Sequence, residues 1–269
     1  MRAALLLFVV AIVCSLAPIA YAATDTVYLE DLTWTEVRAA QKAGKTTIII
    51  PVGGTEQNGP HMALGKHNFR VHALAGGIAA ALGDALVAPV VAYVPEGAIS
   101  PPTGHMRFPG TISIPDAAFQ STLEAAAKSF KQNGFTDIVL IGDSGNYQGH
   151  LKAVALRLNR AWAASPARAH FIDEYYRAAQ SAYPQALRAK GLTEAQIGTH
   201  AGAADTSLLM AIDPTRVRSD RLDAAHTEGA AGGAAGDPRA SSAALGQLGV
   251  DLIVSSSVDA IRKARKASR

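Results

Sequence analysis

Apolar and polar positions along this chain come in blocks. Thr46–Val52, Ala85–Tyr93, Thr136–Ile141 and Ala169–Ile172 are short, nearly continuous apolar runs rich in β-branched residues. That pattern predicts strands buried on both faces, the second interrupted by Pro89. Between them lie stretches with helical spacing: Phe69–Leu82, stopped by Gly83; a helix opened by Pro115-Asp116, running to Asn133 and ended by Gly134; and Gln148–Ala164. Ser241–Leu248 and Ser257–Lys266 read as two further helices. The alternation predicts an α/β fold, a single-domain three-layer sandwich whose mostly parallel sheet carries helices on both faces. Ligands then sit beyond the C-terminal ends of the strands.

The loops at those ends are rich in chemistry. Gly53 to Asn68 presents one carboxylate (Glu56), two imidazoles (His61, His67) and three side-chain amides (Gln57, Asn58, Asn68). A long Pro/Gly-rich excursion, Pro95 to Gly110, carries His105. The turn Gly142 to His150 carries Asp143, Ser144 and Asn146, and Gly198 to Ser207 adds His200 and Asp205. Carboxylates mixed with imidazoles suit zinc, manganese or a similar divalent ion, with an imidazole nearby to move protons. By spacing alone the pattern is unspecific, since neither HExxH nor paired CxxC is present.

Glu-Gln-Asn-Gly-Pro-His (56 to 61), Phe-Pro-Gly-Thr (108 to 111), the Gly-rich turn after Ile141, His-Ala-Gly-Ala-Ala-Asp-Thr-Ser (200 to 207) and Gly-Asp-Pro-Arg-Ala (236 to 240) follow one another in this order. In this the chain resembles the creatininase (creatinine amidohydrolase) family over essentially all of Ala23–Arg269. The resemblance implies a homo-oligomer, often a hexamer, and hydrolysis of a cyclic amide or related C–N bond by a water activated between two metal ions. It also implies that His200 moves protons near the leaving group, that His105 lines the pocket, and that Asp205 orients a neighbour. The departures are concentrated at the metal. Glu56 is kept, but Asn58 stands where the family has a His ligand, His67 where it has the bridging Asp, and Ser144 and Asn146 at the ligand positions of the turn. These exchanges look concerted. The reading that follows is a remodelled site with Glu56 and His67 on one ion, completed by Asp143 or His61, and with Asn58, His61, His105, Ser144 and Asn146 facing a small polar amide. A metal-free pocket is the competing possibility.

Other readings remain open. Gly142-Asp143-Ser144 after a strand, with Asp223-Ala-Ala-His226 downstream, has the shape of an SGNH-type serine esterase. A periplasmic binding or assembly protein on an inactive scaffold is a third. His72, His170 and His226 read as structural or exposed, and Trp34 and Trp162 as packing residues.

Composition and termini set the context. Met1-Arg2, the apolar run Ala3–Leu16 and the small-x-small triplet Ala20-Tyr21-Ala22 predict a secretory signal peptide over residues 1–22, cut before Ala23. Cys14, the single cysteine, falls inside it, so the mature chain has no thiolate for catalysis or metal binding. Export without disulfides fits a periplasmic or secreted bacterial protein with no membrane attachment after cleavage. The net charge of +3 comes without an aromatic-interleaved basic stripe, which argues against nucleic acid as a partner.

Overall fold

The computed structural model describes residues 26–267; the leader expected over residues 1–22 lies outside them. Strands β1 (Thr47–Val52), β2 (Ala85–Val87), β3 (Asp137–Gly142) and β4 (Arg168–Phe171) form one parallel sheet in the order β2-β1-β3-β4. β1 and β3 pair from Thr47 beside Asp137 to Val52 beside Gly142. The helices are α1 (Trp34–Lys42), α2 (Lys66–Leu82), α3 (Asp116–Gln132), α4 (Gln148–Ala161) and α5 (Glu174–Arg177), with a π-helical stretch (Ala178–Ala182) leading into α6 (Tyr183–Ala189). They continue with α7 (Glu194–Ile197), α8 (Ala203–Ile212), α9 (Leu222–Glu228) and α10 (Ala243–Ala267).

The two-residue period of a strand explains the three layers. Ile49, Val87, Val139 and Ile141 pack with Val71, Leu74 and Ile78 of α2 and with Ile253, Val258 and Ile261 of α10. Their neighbours Ile48, Ile50, Leu86, Ile138 and Leu140 pack on the opposite face with Phe119 and Leu123 of α3 and with Leu151, Val154 and Leu158 of α4. Because both faces are covered, every residue of β1, β2 and β3 is buried. From β1 the chain runs through α2 to β2 on one side, then returns through α3 on the other layer to β3. This reversal of winding at β1 opens a crevice beyond the C-terminal ends of β1 and β3.

Several expected boundaries shift, for physical reasons. α2 starts at Lys66, three residues before its apolar period, because Lys66, His67 and Arg70 are themselves buried. His67 and Asn68 therefore stand in the first turn of a helix and not in a loop. β2 ends at Val87, although Val91 still donates to the Pro51 carbonyl at 2.9 Å beyond Pro89. The two expected C-terminal helices are one, α10. Glycine and serine break its apolar period because α8 packs there closely: a Cβ on Gly246 would lie 1.8 Å from the Ser207 carbonyl oxygen. Trp162 is buried, but Trp34 is 70% exposed and stacks under the Arg38 guanidinium, which corrects its reading as a packing residue.

Candidate active site

The β1 and β3 ends are locked together before any reactive group is placed. The Tyr147 hydroxyl accepts from the backbone amides of Asp143 (3.1 Å) and Ser144 (3.0 Å) and donates to the Gly53 carbonyl (2.5 Å). Asn68, on the first turn of α2, accepts from the Gly54 amide at 2.9 Å and donates to Thr55 Oγ1 at 3.1 Å. Only glycine fits beside it, since a Cβ on Gly53 would come within 2.1 Å of Asn68 Oδ1. These bonds hold the Glu56 segment against the start of α2.

On that frame the His67 ring lies between two carboxylates. Nδ1–H donates to Asp143 Oδ2 at 2.6 Å and Nε2–H donates to Glu56 Oε1 at 2.8 Å. A carboxylate only accepts, so both ring nitrogens carry protons. Burial pulls the His67 pKa down and Lys66 adds to that, yet the two carboxylates outweigh both and raise it. Burial would push Glu56 up, but His67, helped by Lys66 and His200, holds it well below the usual carboxylate range. Arg70 Nη1 meets Asp205 Oδ1 at 2.5 Å, with its Nε 3.2 Å from Asp143 Oδ2, and Lys66 Nζ is 3.3 Å from Asp205 Oδ2. Cations at a helix N-terminus oppose the macrodipole. Here Glu56, Asp143 and Asp205, from three other segments, surround that terminus and compensate it.

Glu56 turns its second oxygen away from this cluster. Oε2 is buried and has no hydrogen-bond donor, while His105 Nε2 lies 3.3 Å from it and His200 Nδ1 lies 3.8 Å from Oε1. One ligand atom from each of Glu56, His105 and His200 falls within 4.8 Å of the others, a possible metal-binding triad. An orphaned carboxylate oxygen beside two imidazoles, open to a cavity of about 390 Å³, fits a divalent ion with a position left for water or substrate. The Gln57 carboxamide sits between the rings, Nε2 lying 2.9 Å from His105 Nδ1 and 3.2 Å from His200 Nε2. Because an amide nitrogen donates, these contacts, with the Gln57 carbonyl 3.0 Å from His200 Nε2, set which nitrogen of each ring carries the proton. Burial, reinforced by Lys66, brings the His200 pKa down to about 4, so that ring is neutral at neutral pH and keeps a lone pair. Asp205 anchors the turn after it by accepting from the Ala201 amide at 2.9 Å.

Of the expected metal set of Glu56, His67 and Asp143, Glu56 alone falls in this possible triad. His67 has no lone pair to give, and Asp143 is sequestered by His67, Arg70 and the Tyr175 hydroxyl, the last at 2.8 Å. Their place beside Glu56 is taken by His105 and His200. Ser144 and Asn146 line the cavity as expected, together with Phe108 and Tyr176. Asn58 and His61 do not: both are fully buried behind the wall. The Asn58 amide is spent on the Glu56 and Ala63 carbonyls, and His61 Nε2 is bonded to Thr206 Oγ1 at 2.9 Å. The serine-esterase arrangement is not assembled, because His226 is 44% exposed, pairs with Asp237 at 3.4 Å and is not on the cavity wall.

Lys66, Arg70 and Glu96 escaped the sequence reading. The cations precede or interrupt the apolar period of α2, and Glu96 lies in the Pro/Gly excursion whose only marked residue was His105. Glu96 is 2% exposed and its Oε2 accepts from Asn146 Nδ2 at 2.7 Å. Burial, then the neighbouring Glu56 carboxylate, push its pKa up to about 8, so it is a neutral acid at neutral pH.

Taken together, the parallel three-layer fold and the carboxylate–imidazole cavity at its switch point define an α/β protein with a hydrolase-like, metal-competent site. The sequence model described as "Creatininase: Creatinine amidohydrolase" matches residues 30–261, and the chain belongs to the creatininase family of amidohydrolases. It is 29% identical over 244 residues to a mycofactocin precursor peptide peptidase of Mycolicibacterium smegmatis, covering 80% of this chain and 84% of that one. Among solved structures it is similar to a manganese creatininase, with TM-score 0.71, 26% identity, and 89% and 98% of the two chains covered. A creatininase variant of Zn–Zn type superposes with TM-score 0.71 at 25% identity, covering 90% and 99%.

Proposed function

We propose that this protein is an exported hydrolase, periplasmic or secreted, that cleaves the C–N bond of a small polar amide, cyclic or linear, and works as a homo-oligomer, a hexamer by family resemblance. One observation carries the reading: one potential ligand atom from each of Glu56, His105 and His200 lies within 4.8 Å of the others, on the wall of a cavity of small-molecule size. The peptidase and the amidohydrolases to which the chain is similar both break C–N bonds, which supports the reaction class.

Glu56, His105 and His200 would hold the ion, zinc or manganese. When bound, such an ion supplies a water of lowered pKa and polarises the substrate carbonyl. The chain's own groups do the rest. His67 fixes the Glu56 carboxylate through Oε1, Gln57 sets the two imidazoles, and Asp205 holds the turn that presents His200. Ser144 and Asn146 line the wall against which an amide substrate would lie.

The test is turnover of a panel of small amides, lactams and esters, with chelation and metal re-addition. Hydrolysis of an amide or lactam that a chelator abolishes and zinc or manganese restores is the expected result. Activity indifferent to chelation would contradict it, as would absence of turnover together with ligand-dependent thermal stabilisation, the mark of a binding protein.

A further inference from the structure

We propose that the side chains of Lys66, His67 and Arg70 take the place of a second metal ion, so that this cavity holds one divalent ion where the Zn–Zn relative is named for two. The inference rests on the metal-dependent reading above and deepens it.

Three carboxylates border the deep end of the cavity: Glu56, Asp143 and Asp205. Asp143 gives Oδ1 to the Tyr175 hydroxyl at 2.8 Å and Oδ2 to His67 at 2.6 Å, with Arg70 Nε 3.2 Å from Oδ2. Asp205 gives Oδ1 to Arg70 at 2.5 Å and Oδ2 to the Ala201 amide at 2.9 Å, with Lys66 Nζ at 3.3 Å. Glu56 Oε1 is held by His67 at 2.8 Å, with Lys66 Nζ at 3.8 Å. Among these three carboxylates, Glu56 Oε2 is the oxygen without a cation, amide or phenol donor, in a side chain 2% exposed. It faces His105, and His200 completes the group. Ser144 and Asn146 offer a neutral hydroxyl and a carboxamide, poor donors to a transition metal. One ion therefore finds three ligands and a second finds none.

Charge leads to the same count. Lys66 and Arg70 are one helical turn apart on α2, and His67 follows Lys66, so two fixed cations and an imidazole enter the cluster from the start of one helix. Lys66 and Arg70 hold Asp205, and the His67 ring spans Asp143 and Glu56. A second divalent ion would have to approach buried cations to reach carboxylates that those cations already hold.

The experiment is metal stoichiometry and ring protonation on the whole protein. Metal-stripped protein is saturated with zinc, desalted and assayed for bound metal, and ring nitrogens are followed by long-range proton–nitrogen NMR, with His67→Asn to assign the His67 signals. The expected result is one zinc per chain, with both His67 nitrogens protonated before and after zinc while the His105 and His200 rings change. Two zinc ions per chain, or a His67 ring that loses a proton on zinc addition, would overturn the proposal and leave the hydrolase reading intact. No tightly held zinc would overturn this proposal together with the metal-dependent reading.

Discussion

With a carboxylate on each ring nitrogen, His67 acts as a charged strut between β3 and the Glu56 segment. Substituting Asn leaves Asp143 and Glu56 buried without their cation, and breaking a buried pair of this kind costs about 3–5 kcal/mol. Urea denaturation of His67→Asn should show a loss in that range, and wild-type stability would count against the strut. Glu96 gives a prediction of opposite electrostatic sense. Its pKa is raised from 4.5 to about 8 on folding, first by burial and then by Glu56. Between those values the folded state binds a proton that the unfolded chain releases, so stability falls as pH rises through that window, by up to about 1.4 kcal/mol per pH unit. Below 4.5 both states are protonated and this contribution is fully present. Glu96→Gln cannot titrate, so its stability should exceed that of wild type by a margin that grows from about pH 5 to about pH 8. Equal pH slopes for the two proteins would show that Glu96 is ionised throughout.

At the scale of elements, the bond between β1 and β3 ends through Tyr147 is the feature on which the site depends. Tyr147→Phe keeps the ring packing but leaves the buried Ser144 amide without its acceptor and the Asp143 amide with the Val52 carbonyl alone, at a cost of about 1–3 kcal/mol. We expect that loss by denaturation, with turnover falling as well because Asp143 and Glu56 are no longer held in register; full activity would place the hydroxyl outside the site's support. The strands of this sheet were legible in the sequence because burial on both faces makes their apolar runs continuous, as in Ile48-Ile49-Ile50. The start of α2 was not legible. Its first turn is buried yet made of Lys66, His67 and Asn68, and no hydrophobic pattern marks buried polar residues whose partners lie far away in the chain. The site was legible to the same extent. Glu56, Asp143, His200, His105 and Asp205 do converge, but which of them give lone pairs to the cavity depends on where Lys66 and Arg70 point, and α2 decides that. His61 and Asn58 look equivalent to Glu56 in a list of polar residues; they are separated from it only by which side of one loop faces inward.

Across the whole molecule, the fold opens a cavity at the reversal of winding, and this chain lines it with carboxylates, imidazoles and the cations of α2. Two consequences distinguish the account from its neighbours. Ser144 lines the wall without a histidine base from the His226 segment, so Ser144→Ala should retain turnover within about tenfold, a change in substrate positioning alone. Complete loss with a normally folded protein would revive a serine nucleophile. The ligand assignment is tested most directly by diffraction from zinc-loaded crystals, recorded on both sides of the zinc absorption edge. The account predicts a single anomalous peak per chain, bonded to Glu56, His105 and His200, with His67 still between Glu56 and Asp143. A peak bonded to His67 or Asp143, or a second peak in the same cavity, would contradict it.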